Sequence, residues 1–160
     1  MFKVKKIILL FMLVGLFACQ KEYVYDVNIE NIQLPNAGKT KLKTEDQYIA
    51  ILYANLFQTA ISPNELVDVN RCIESIGDKE LVHEIIISNF MNKPDVIIPA
   101  DSLMRVDVDT FMFNTYERFL VREMTEAERT YWNIYINSTP QVTPELVYFS
   151  FALSNEYLYY

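Results

Sequence analysis

Between Thr44 and Tyr157 apolar residues recur three and four positions apart, as on a helix with one buried stripe, and polar punctuation divides them into six helix-sized segments. Thr44-Glu45-Asp46-Gln47 reads as a capping box: the Thr hydroxyl accepts from an orphan N–H and the Gln side chain reaches back. It opens a helix to about Phe57, with Tyr48, Ile49, Leu52, Tyr53 and Leu56 on the buried side. Ser62-Pro63-Asn64-Glu65 is a second box, with Pro at the first helical position, where no N–H is missed. That helix is expected to run to about Ile76 and to stop at Gly77 in the left-handed conformation. Asp78 caps a third through Leu81, Ile85 and Asn89, ending before Pro94.

Residues 92–106, with Pro94 and Pro99, read as a connector, after which the plan returns. Asp107 or Asp109 caps a helix through Phe113, Tyr116, Phe119 and Leu120, with Arg122 in its last turn as a cation suited to the dipole. Thr125-Glu126-Ala127-Glu128 is another capping box, leading Tyr131, Trp132, Tyr135 and Ile136. Thr143-Pro144-Glu145 opens a last helix through Leu146, Phe149, Leu153 and Tyr157. Thr44 and Asp107 lie 63 residues apart, Ser62 and Thr125 also 63, Asp78 and Thr143 65. Tyr48/Phe111, Tyr53/Tyr116, Leu56/Phe119 and Glu65/Glu128 correspond at the first offset. The expected fold is all-α: a bundle of about six helices over 44–160, built from two copies of a three-helix unit, 44–92 and 107–158. An unrepeated six-helix bundle gives the same class.

The N-terminus is patterned differently. Lys3, Lys5 and Lys6 precede an apolar run from Ile7 to Phe17, shorter than the roughly 20 residues that span a bilayer and suited to a secretory signal that is removed. Leu16-Phe17-Ala18-Cys19 resembles the lipobox of bacterial lipoproteins. The resemblance implies that residues 1–18 are a signal peptide cut before Cys19, with a diacylglycerol on the Cys19 thiol and an acyl chain on the new amine. Two or three chains anchor firmly where one binds marginally. Gln20, in place of the Asp that retains many lipoproteins at the inner membrane, points to the outer membrane, on its periplasmic or surface face. Residues 19–43 then form the lipidated Cys and a tether.

At 51% apolar and 14% aromatic the chain has ample surface for a folded core. Its net charge of −7 argues against a nucleic-acid partner, which requires a basic footprint. Two cysteines exclude a disulfide scaffold or a four-Cys zinc site. With Cys19 lipidated, Cys72 is the remaining thiol and reads as a small buried apolar residue, since only His83 could serve it as a base. His83 lacks the HExxH spacing of a zinc site. Asp107-Val108-Asp109 begins like a calcium loop, but Phe111 and Arg118 occupy ligand positions, so an EF-hand is excluded; Asp101, Asp107 and Asp109 read as helix-capping acids. Neither GxSxG, a P-loop nor a dinucleotide fingerprint occurs, and no metal, cofactor or catalytic residue is expected.

The second unit carries Tyr116, Phe119-Leu120, Arg122, Thr125-Glu126-Ala127-Glu128, Tyr131-Trp132, Ser154 and Glu156-Tyr157. This pattern resembles the helical domain of unknown function related to phycobilisome linkers, over about residues 112–158 and more faintly over 48–91. The resemblance implies a non-catalytic module of secreted or surface proteins. The last helix is apolar almost all round, as a buried central helix or a partner-docking one would be. Trp132, Tyr135, Phe151 and Tyr157 are the candidate partner contacts, since aromatics anchor interfaces. The expected function is a lipid-anchored, non-catalytic binding or scaffold subunit with a protein partner in the envelope. A carbohydrate-binding module with Tyr and Trp platforms is the alternative, and a hydrolase with paired carboxylates a third class.

Overall fold

The computed structural model describes residues 39–160. The expected signal peptide, Cys19 and the tether up to residue 38 lie outside the described residues. Within them the chain is all-α. The helices are α1 Glu45–Phe57, α2 Pro63–Ser75, α3 Lys79–Met91, α4 Asp101–Val106, α5 Val108–Thr115, α6 Glu126–Ser138 and α7 Pro144–Ala152. A π turn, Tyr116–Leu120, continues α5, and a 3-10 turn, Asn155–Leu158, follows α7.

The caps form as local chemistry dictates. Thr44 accepts from the Gln47 N–H, Ser62 from Glu65, Asp107 from Thr110 and Thr143 from Leu146. Asp78 accepts from both Glu80 and Leu81. Thr44/Gln47 and Thr125/Glu128 are complete, reciprocal boxes.

Several expectations need correction. Gly77 is not left-handed: α2 ends at Ser75, and Ile76 is extended (φ −110°), carrying the chain straight to the Asp78 cap. The left-handed residues are Gln58 (φ 55°) and Val121 (φ 53°). On α3 the stripe is Val82, Ile86, Ile87 and Phe90; Leu81 and Ile85 are exposed, because the neighbouring helices cover the adjacent face. Residues 92–106 contain α4, held by Arg105, which donates to Asp101 and to the carbonyls of Ile136, Pro140 and Val142. Arg122 lies past the left-handed end of its helix and pairs with carboxylates instead of facing the dipole. The last helix stops at Ala152, and Tyr157 belongs to the 3-10 turn. Residues 39–43 are packed on the domain: Leu42 bridges antiparallel to Tyr159, the Lys43 N–H donates to the Leu158 carbonyl (2.9 Å) and the Tyr160 N–H to Lys41 (2.9 Å).

The two halves share bounds. α1 displaced by 63 coincides with α5 plus the π turn, and α2 displaced by 63 coincides with α6. The left-handed residues Gln58 and Val121 stand at the same offset, as do the buried pairs Ile49/Met112, Leu56/Phe119 and Ile73/Ile136. Asn70 donates to Asp46 as Asn133 does to Asp109. The π widening occurs in the second copy alone. α1, α3, α5, α7 and both turns contribute to one apolar core, in which Tyr48 meets Tyr157 edge-on (5.6 Å between centroids) and donates to the Ala152 carbonyl (3.2 Å).

Candidate functional site

On α6 an exposed aromatic–aliphatic face stands next to a side chain fixed by the core. Thr125 and Glu128 start the helix, and its inward side carries Ile136, fully buried, and Trp132, half-buried. The Trp132 indole N–H donates to the Tyr116 hydroxyl (3.0 Å), and its ring lies 5.7 Å from that of Phe151. Burial pushes the Tyr116 hydroxyl up to about 12, against the opposing pull of the Trp132 N–H. Trp132 is thereby fixed by the core on one side.

Its other side meets an exposed stripe. Tyr131, Ile134 and Tyr135, spaced i, i+3, i+4 on one helical face, are 57%, 64% and 39% exposed. The Tyr131 and Tyr135 rings stack in near-parallel planes, 5.6 Å between centroids and 11° apart. Trp132 abuts both edge-on, at 5.3 and 6.0 Å. The helix that corresponds to α6 at an offset of 63 residues, α2, supplies an internal comparison. Sixty-three residues earlier, the same three positions on α2 hold Asp68, Arg71 and Cys72; Asp68 and Arg71 form a solvated ion pair at 3.3 Å. One scaffold thus presents a water-facing polar face in its first copy and an aromatic–aliphatic face in its second.

Of the expected contact residues, the structure brings Trp132, Tyr135 and Phe151 together and leaves Tyr157 apart from them, against Tyr48 and Phe119. Phe151 and Tyr157 are corrected: both are buried, because α7 and the 3-10 turn sit in the shared core, so neither is open to a partner. Tyr131 and Ile134 were not singled out as contacts; their spacing relative to Tyr135 is the signal that could have found them. Cys72 is also corrected, being exposed on the polar face of α2.

Beneath α6 an ion triad locks the second unit. Arg122 donates to both oxygens of Glu128 (2.9 and 2.7 Å) and of Glu156 (2.7 and 2.9 Å), with its guanidinium 4.8 Å from the Tyr116 ring centroid. Burial acts to raise the Glu128 carboxyl, but Arg122 and the Thr125 N–H and hydroxyl outweigh it and hold it at about 2. Arg122 also holds Glu156 below the usual carboxylate range. A general acid in glycoside hydrolysis has the opposite tuning, a raised carboxyl. At the corresponding place in the first unit a single pair stands over a ring: Lys93 pairs with Glu65, the counterpart of Glu128, 5.6 Å from the Tyr53 ring centroid.

His83 stacks on Tyr48 (4.3 Å) with Nε2 3.0 Å from Glu45, a half-buried packing role. Among the described residues no three His, Cys, Asp or Glu side chains are grouped to hold a metal ion, and no helix is long and apolar enough to cross a membrane. No family model, curated protein or solved structure matches this chain.

Proposed function

We propose that this chain is a lipid-anchored adaptor of the bacterial envelope, fastened through Cys19 at the outer membrane and holding a protein partner against the Tyr131–Ile134–Tyr135 face of α6. The lipobox-like Leu16-Phe17-Ala18-Cys19 supports the anchor. The likeness of residues 112–158 to the linker-related helical domain supports a non-catalytic module. One observation carries the binding reading: equivalent positions of the two units hold Asp68, Arg71 and Cys72 in one and Tyr131, Ile134 and Tyr135 in the other. Exposed aromatics with an aliphatic between them are the composition of an interface centre, where desolvated rings contribute most. Ile134 also weighs against the carbohydrate alternative, because it offers a sugar neither a ring face nor a hydrogen bond.

The test compares three forms of the full chain in envelope membranes solubilised with neutral detergent. The native chain migrates in a complex larger than itself. The triple variant Tyr131→Ser, Ile134→Ser, Tyr135→Ser keeps its helical circular dichroism and its membrane location but migrates alone. Cys19→Ala leaves the membrane fraction and incorporates no palmitate analogue. A triple variant that remains in an unaltered complex ends the partner reading, and a labelled Cys19→Ala chain ends the anchor.

A further inference from the structure

We propose that a groove between residues 39–43, α1 and the π turn is a binding site for a small organic oxyanion, a carboxylate or phosphate carried on an apolar ring. The groove's volume of about 600 Å³ falls within the roughly 300–1,000 Å³ of small-molecule sites. Ile51 and Phe119 line its floor, Tyr159 and Tyr160 its apolar rim, and Lys39 and Lys43 its charged end.

The charges at that end are unbalanced. The Lys39 ammonium donates to the Leu120 carbonyl and lies 3.3 Å from Glu156, a carboxylate already holding Arg122 through both oxygens. The Lys43 ammonium donates to the Tyr157 carbonyl and sits over two rings, 4.1 Å from the Tyr157 centroid and 5.6 Å from that of Tyr160. No carboxylate among the described residues stands within 4.0 Å of it. Burial, and then repulsion from Lys39, bring Lys43 down to about 8. Arg118 is a third cation lining the groove. Two ammonium groups are therefore held near each other, half-buried, in a chain whose net charge is −7. An oxyanion between them removes this repulsion and accepts charge-assisted hydrogen bonds, while its ring meets Ile51 and the terminal tyrosines.

The probe is 1-naphthyl phosphate, titrated into the full chain in neutral detergent by calorimetry and by amide NMR. One saturable site is expected, with shifts centred on Ile51, Asn55, Tyr159 and Tyr160. Neutral 1-naphthol and inorganic phosphate should each bind at least about tenfold more weakly, as should naphthyl phosphate to Lys43→Gln. Lys43→Arg, which keeps the charge, should stay within about threefold. Absence of saturable binding, equal binding of 1-naphthol, unchanged binding by a folded Lys43→Gln chain, or shifts centred elsewhere would each overturn the proposal. Should Lys43→Gln fail to fold, the native chain's ligand preference and shift map decide it.

Discussion

Val121 is a β-branched residue held at φ 53°, where its Cβ crowds the backbone. It is largely exposed. Val121→Gly is expected to raise the unfolding free energy by about 1 kcal/mol, read as a higher urea midpoint with an unchanged slope. Arg122 is the opposite case, a residue whose partners are everything. Its side chain is 10% exposed and joins two carboxylates, so Arg122→Met leaves Glu128 and Glu156 facing each other without a cation. The expected loss is about 3 kcal/mol, measured by chemical denaturation near neutral pH.

The same triad sets the acid response. Glu128 moves from an ordinary 4.5 in the unfolded chain to about 2 when folded, so between those values the unfolded chain binds the proton and the folded one does not. Stability from this carboxylate is complete above 4.5 and is lost as pH falls through about 2. Melting temperatures of the native chain should fall over that window. Those of Arg122→Met should stay flat or rise on acidification, because protonation relieves its carboxylate pair.

At the scale of the element, α6 separates stability from recognition. Its cap, Trp132 and Ile136 hold it in place, whereas the Tyr131–Ile134–Tyr135 face touches little of the core. The triple serine variant should therefore change the unfolding free energy by less than about 1.5 kcal/mol, at about 0.5 kcal/mol per surface site, while abolishing the complex. Thr125→Ala should do the reverse, costing about 1 kcal/mol with the complex retained. Helix ends were the most legible feature of this chain, since Thr44, Ser62, Asp78, Thr125 and Thr143 each satisfy donors within three residues of themselves. Buried faces were less so: α3 has apolar residues on both sides, and Leu81 and Ile85 match the helical period as well as Val82 and Ile86 do. The α4 turn was hidden directly after Pro94 and Pro99 and lacks a side-chain cap; Arg105's distant carbonyl partners hold it.

Across the whole described domain the two units share their core. Ile87 and Val82 of the first and Val147, Ala152 and Tyr157 of the second belong to one cluster. The domain should unfold in a single transition, and the sole tryptophan, Trp132 in the second unit, reports it. Ile87→Ala, a cavity in the first unit, is expected to cost about 3 kcal/mol and to lower the Trp132 fluorescence midpoint by as much as the circular-dichroism midpoint. Two separated transitions would show that the copies fold independently.

The amino-acid order alone determined the helical class, the start of nearly every long helix and the 63-residue correspondence, because capping and the three-to-four period act between neighbours along the chain. Tertiary packing alone decided that Phe151 and Tyr157 are covered while Tyr131 and Ile134 are not, that Cys72 faces water, that Arg122 finds Glu156, and that Lys39 and Lys43 share one groove. Burial and charge pairing depend on which distant element covers a residue, and no local spacing encodes that.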